Sequence, residues 1–246
     1  MNTYEKVAVV TGASRGIGKA IAEQLAQQNI AVLINYVSNT DAADEVVETI
    51  KKAGGEAAAF KADVSKFEEV EAMFDHAETL YGKIDILVNT AGVMHKNVPL
   101  AEMDDEIFDR TMATNVKGPF NTMRLAAKRL NEGGKIINFS TSVTKLLMPT
   151  YTVYAASKSA IETMTNIFAK ELRGRNITVN AVAPGPTATD LFLEGKSEEL
   201  IEELANKPPL ERLGEPKDIA DIVEFLVSDK AGWINGQTIF ANGGLI

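Results

Sequence analysis

The stretch Val7–Gly18, VAVVTGASRGIG, decides how the rest of the chain is read. An apolar run (Val7, Ala8, Val9, Val10) leads through Thr11 into a turn containing Gly12, Gly16 and Gly18. Ile17, Ala20, Ile21 and Leu25 then recur at helical spacing. Strand, tight glycine-rich turn and amphipathic helix are the setting a dinucleotide-binding loop requires. Gly12 supplies the sharp turn, Gly16 lets the backbone approach a pyrophosphate, and Gly18 lets the helix start pack close to the strand. Ser14, Arg15 and Ile17 lie within the loop as further candidate contacts, and the N–H groups of the helix start point at the anion. The spacing is GxxxGxG, not the commoner GxGxxG.

Outward from this loop, apolar runs alternate with helical patterns. Strands are expected at Ile30–Tyr36, Ala57–Ala62, Ile84–Val88, Lys135–Phe139, Ile177–Ala183 and Gln237–Phe240. Helices are expected from a cap at Thr40 or Asp41 to about Ala53, and over Phe67–Tyr81, Asp104–Leu130, Thr152–Arg173 and Pro216–Val227. A polar segment, Thr187–Lys207, follows Pro184-Gly185-Pro186. No linker, repeat or low-complexity tract interrupts residues 1–246, so a single domain is expected. The alternation predicts an α/β fold: a doubly wound, parallel, seven-stranded sheet of Rossmann type with helices on both faces. The strands are nearly all apolar, as a sheet covered on both sides demands. Ligands of such sheets bind at the carboxyl ends of the strands, near the point where strand order reverses.

Composition narrows the function. The chain has 246 residues, 45% of them hydrophobic and 24% charged, with a formal net charge of −9. That balance argues against non-specific nucleic-acid binding, which needs a basic footprint. No apolar run is long enough for a membrane span, and the start MNTYEKVAVV lacks a leader's charged end and apolar core, so a cytoplasmic location is expected. There are no cysteines, which excludes disulfides, thiolate metal sites and a cysteine nucleophile. Two histidines, His76 and His95, are too few for most metal sites, and no metal is expected.

Four features stand together: TGASRGIG at 11–18, NTAG at 89–92, Asn115 in a helix, and YAASK at 154–158. In this order and spacing they resemble the short-chain dehydrogenase/reductase family. The resemblance covers essentially the whole chain, including PGPTATD at 184–190 and ERLGEPKDIA at 211–220. It lies nearest the branch of 3-oxoacyl-carrier-protein reductases and related carbonyl or sugar-alcohol dehydrogenases. Tyr154 and Lys158 fall one turn apart on a helix face. A phenol is a poor base at neutral pH, and a nearby ammonium lowers its pKa. Such a pair exchanges a proton with a carbonyl or alcohol oxygen, while a hydroxyl donor polarises that oxygen and a nicotinamide cofactor carries the hydride. Tyr151 is a second phenol, without a lysine four residues on.

The resemblance also implies that Lys158 binds the nicotinamide ribose and that Asn115 holds a water in a proton relay. It implies a hydroxyl donor at the end of the fifth strand, where Ser142 is preferred to Thr141. Asn89, Ala91 and Gly92 would meet the cofactor, although Thr90 departs from the usual NNAG. Asp63-Val64 resembles the adenine-contacting pair, and Pro184, Gly185 and Thr187 the segment that closes over the nicotinamide. The second strand ends Asn35-Tyr36-Val37 without the acid that bonds a ribose 2′-hydroxyl. Arg15, Ser38 and Asn39 offer charge and polar donors to a 2′-phosphate instead, so NADP(H) is expected in preference to NAD. The family implies a homotetramer acting on a small carbonyl or alcohol. A basic group, Lys128, Arg129 and Arg173, is either a carrier-protein contact or a solvated helix face. The competing reading is a catalytically silent cofactor-binding protein on the same fold.

Overall fold

The computed structural model describes residues 4–95 and 98–246. Strands and helices alternate in the order β1 Lys6–Thr11, α1 Gly16–Gln27, β2 Ile30–Tyr36, α2 Thr40–Lys52, β3 Ala57–Lys61, α3 Phe67–Tyr81 and β4 Ile86–Asn89. Then come α4 Asp105–Met112, α5 Gly118–Arg129, β5 Lys135–Phe139, α6 Val143–Leu146, α7 Thr152–Glu171, β6 Thr178–Pro184, α8 Asp190–Leu193, α9 Glu198–Ala205, α10 Pro216–Val227 and β7 Thr238–Ala241. The seven strands form one parallel sheet in the order β3-β2-β1-β4-β5-β6-β7. Strand order reverses between β1 and β4, so a crevice opens there at the carboxyl ends.

Alternation along β1 assigns the two faces. Ala8 and Val10 point into a core with Ile21, Leu25, Val46, Ile50, Val223 and Leu226 of α1, α2 and α10. Val7 and Val9 point into the other, with Met73, Phe74, Ala126 and Leu172 from α3, α5 and the end of α7. All these side chains are buried. Both faces of the sheet are therefore dry, and chemistry is confined to the strand ends. The lone tryptophan, Trp233, between α10 and β7, is fully exposed.

Two local expectations are corrected. The expected helix Asp104–Leu130 is two helices joined by a π-turn over Ala113–Lys117, in which the Gly118 N–H reaches back to Ala113 O. Pro119 follows and has no N–H to offer Asn115 O, so the Asn115 carbonyl lacks its α-helical partner. Helix α2 is capped by Asn39, whose side chain accepts from Ala42 N at 3.0 Å, and not by Thr40 or Asp41. The segment 187–207 contains α8 and α9, capped by Thr189 and Ser197. Its root is pinned where Thr187 bridges Gly214.

Candidate active site

The glycine loop is shaped from three sides. Gly12 has φ +63°, and a Cβ there would lie 2.8 Å from Ala91 Cα. A Cβ on Gly18 would lie 2.6 Å from both Gly12 O and Thr90 Oγ1. Asn35 is fully buried beneath the loop: Oδ1 accepts from Gly12 N at 3.2 Å and Nδ2 donates to Ala62 O at 2.8 Å. Its side chain therefore shapes the loop from beneath. Where α2, α4 and α9 carry side-chain caps, Arg15 precedes α1 without one, and the first turn holds no acid. The first-turn N–H groups stay open to an anion. Ser14 and Ile17 are half-buried within this turn, and Arg15 is exposed with no ion pair among the described residues.

Ser38 and Asn39 follow the neighbouring strand β2 and are exposed, with Tyr36 half-buried before them. The Asn39 side-chain oxygen is committed to its helix cap, which leaves its amide hydrogens to face outward. This loop fits a dinucleotide: a cradle that a Cβ would fill, uncapped donors, and a solvent-facing guanidinium beside the end of β2 where no acid stands.

At the end of β3, Asp63 Oδ1 accepts from Ser65 N at 2.9 Å and Ser65 Oγ at 2.7 Å. Val64 is buried against Gly118, where a Cβ would come within 2.7 Å of its side chain. At the end of β4 the Thr90 hydroxyl donates to Thr11 O, and Ala91 N donates to Thr11 Oγ1 at 3.1 Å. The threonine that departs from NNAG thus ties this turn to the glycine loop. The Asn89 side chain points into the core, donating to Asn138 Oδ1 at 2.9 Å and accepting from Thr122 Oγ1 at 2.8 Å.

Gly92, Asn115 and Lys158 converge. A Cβ on Gly92 would lie 3.4 Å from both Asn115 Oδ1 and Lys158 Nζ. The buried Asn115 side chain accepts from Val93 N at 2.8 Å and donates to Val93 O at 2.9 Å and to Ser157 Oγ at 3.2 Å. What Asn115 has left for a ligand is the carbonyl freed by the π-turn. Lys158 is buried and donates to Phe139 O at 2.9 Å.

Burial pushes the Lys158 ammonium down to about 8 and the Tyr154 phenol up to about 12. Desolvation disfavours both charged forms. The Tyr154 ring is half-buried, its edge toward Tyr151 with centroids 6.5 Å apart. The nearby Thr141 side chain draws the phenol's pKa partway back down.

The Ser142 side chain is engaged away from Tyr154. The Ser142 hydroxyl donates to Ala183 O at 3.4 Å and accepts from Asn242 Nδ2 at 3.1 Å, so it faces β6 and the tail. Pro184 ends β6; Gly185 N donates to Ala241 O at 2.8 Å, and Thr187 Oγ1 donates to Gly185 O at 3.0 Å. Two residues were not singled out from sequence. Asn242 is one, and its Oδ1 also accepts from Gly244 N and Leu245 N. The other is Glu162, which accepts from Ser140 and Thr144. The repeat of Tyr154, Lys158 and Glu162 at four-residue spacing was the available signal for it.

A family described as Enoyl-(Acyl carrier protein) reductase matches residues 12–246. The chain is 46% identical to a short-chain type dehydrogenase/reductase of Picea abies over 98% of its own length and 92% of the relative's. It is 44% identical to an NADPH-dependent aldehyde reductase-like chloroplastic protein of Arabidopsis thaliana, over 98% and 94%. Among solved structures, the angucycline C-6 ketoreductase LanV with bound NADP superposes with a TM-score of 0.93 at 41% identity, covering 99% of this chain and 96% of that one. With the glycine loop, the freed Asn115 carbonyl and the Tyr154–Lys158 helix face all at the strand ends of one seven-stranded parallel sheet, the chain belongs to the short-chain dehydrogenase/reductase family.

Proposed function

We propose that this protein is an NADPH-dependent reductase of small aldehydes and ketones, reversible as an alcohol dehydrogenase. The observation that carries the reading is Lys158 Nζ meeting Gly92 and Asn115 at the strand ends, with Tyr154 one turn before it on α7 and an uncapped helix start that suits a phosphate alongside. A phenol held near 12 is protonated at neutral pH, which suits it to donate to an oxygen gaining negative charge. The Thr141 hydroxyl would share that oxygen as a second donor. Lys158 would hold the ribose hydroxyls, Gly12, Gly16 and Gly18 the pyrophosphate, Arg15 the 2′-phosphate, and Asp63 and Val64 the adenine end. Bound NADPH supplies the hydride. The Asn115 carbonyl would accept from the water that returns a proton to Tyr154.

Two of the relatives' own descriptions, an NADPH-dependent aldehyde reductase-like protein and an NADP-bound ketoreductase, support both the cofactor and the substrate class. Arg129 bears on the partner. Its guanidinium lies 2.5 Å from Glu78 and 2.7 Å from Asp75 and is only 19% exposed. Of the basic group, that leaves Lys128 and Arg173, a weak patch for an acidic carrier, and favours a free carbonyl substrate.

The test is NADPH oxidation across a panel of aldehydes and ketones, repeated with Tyr154→Phe. The wild type should turn over at least one class and the variant none of it, with cofactor affinity unchanged. If both bind NADPH and neither turns over any carbonyl, the silent-binder reading replaces this one.

A further inference from the structure

Glu162 lies one helical turn beyond Lys158 and two beyond Tyr154 on α7. Its side chain is 17% exposed and points at the turn leaving β5. Ser140 Oγ donates to Glu162 Oε1 at 2.6 Å, and Thr144 Oγ1 donates to the same oxygen at 2.7 Å. The Thr144 hydroxyl also lies 2.9 Å from Thr141 O. It has one proton to give, and the nearer carboxylate is the stronger acceptor. Lys145, 3.9 Å from Oε2 and half exposed, adds little. One carboxylate thus grips the residue just before Thr141 and the residue three after it. It does so from the helix that carries Tyr154.

We propose that Glu162 is a positioning residue: it clamps the Ser140–Thr144 turn to α7 and so fixes Thr141 against the Tyr154 phenol. The proposal rests on the acid–base reading above. Without the clamp, the turn keeps its bonds to β6, Ser140 N to Val182 O and Ser142 N to Pro184 O, both at the strand end. It keeps Lys158 Nζ to Phe139 O at 2.9 Å and the long Ser140 Oγ to Lys158 O contact at 3.5 Å, but loses the two short bonds that hold Ser140 and Thr144 to α7. Thr141 then drifts from Tyr154 while the cofactor loop, built on other elements, stays in place.

The test uses the full chain carrying fluorotyrosine, with the Tyr154 ¹⁹F resonance assigned by its absence in Tyr154→Phe. Glu162→Ala should move that resonance toward its position in Thr141→Ala. Glu162→Gln, whose amide oxygen still accepts both hydroxyls, should leave it near wild type. In turnover, Glu162→Ala should lower kcat by about tenfold or more, since small misplacements of reacting groups cost up to roughly 10²-fold, with KM for NADPH unchanged. It should lower kcat no further in a Thr141→Ala background. The combination Ser140→Ala with Thr144→Val removes the two donors, leaves the carboxylate, and should reproduce the resonance shift if Glu162→Ala does not fold. An unmoved resonance, or losses from Glu162→Ala and Thr141→Ala that multiply, overturns the proposal. A wild type that reduces no carbonyl overturns the functional reading alone, because the resonance comparison needs no substrate.

Discussion

Two hydroxyls one residue apart, Thr141 and Ser142, show what register decides. Both suit an oxyanion donor by chemistry, and counting along the sequence did not separate them. The turn after β5 engages Ser142 with Ala183 and Asn242, which makes Thr141 the proposed donor beside Tyr154. Thr141→Ala should lower kcat by about 10²-fold, the usual cost of an oxyanion donor. Ser142→Ala should cost about 1 kcal/mol of stability and leave kcat within a few-fold; the reverse pattern in kinetics and melting would return the role to Ser142. Lys158 makes a second case. Its ammonium falls from 10.5 to about 8 on folding. Between those values the unfolded chain keeps a proton the folded chain has released, so stability rises with pH across that window. Below it the buried charge costs the fold about 3 kcal/mol. Lys158→Met should therefore melt higher at pH 7 by about 1–2 kcal/mol, after the loss of its bond to Phe139 O, with the gain gone above pH 10.5. In the wild type, kcat/KM for reduction should fall above about pH 8 as Lys158 discharges. A lower melting point at pH 7 would show that the ammonium is not held at a cost.

Among the elements, periodicity made most of the sheet and helices readable, because each strand is an apolar run and each helix an amphipathic one. It missed what periodicity does not encode. Residues 104–130 look like one continuous helix by apolar spacing, and the π-turn at Ala113–Lys117 changes only the hydrogen-bond register. The proline that follows was the visible clue. Tyr154 and Lys158 were legible because four-residue spacing on a helix has one geometric meaning. Asn35 and Asn89 were legible as positions but not as roles, since a side chain buried under a loop and one facing a ligand look alike in sequence. The start of α1 carries its own prediction. An uncapped turn preceded by Arg15, which makes no ion pair among the described residues, should distinguish cofactors by the 2′-phosphate alone. Arg15→Ala should weaken NADPH by about 10- to 100-fold, the range of a charge-assisted contact, and leave NADH nearly unchanged in calorimetric titration. Equal losses for both would remove Arg15 from the phosphate site.

At the scale of the molecule, a sheet buried on both faces leaves the exposed apolar groups to the outer helices and the loops. Phe108 on α4, Phe120 on α5 and Ile167 on α7 are 45%, 45% and 50% exposed. Large apolar groups in water favour association, and a homotetramer is the expected assembly. Light scattering should give four times the 26.6 kDa chain mass, and a strictly monomeric mass at working concentration would refute it. Trp233 offers a way to watch this without a label. As the only indole in the chain, and one wholly in water, it starts at the red extreme of tryptophan emission and can move only toward the blue. It lies away from the Tyr154 crevice in sequence and on the last crossover of the fold, so a spectrum recorded on dilution reports what covers that corner of the surface. A blue-shifted, concentration-dependent emission would mark the corner as part of a subunit contact, and an invariant red emission would place every contact elsewhere.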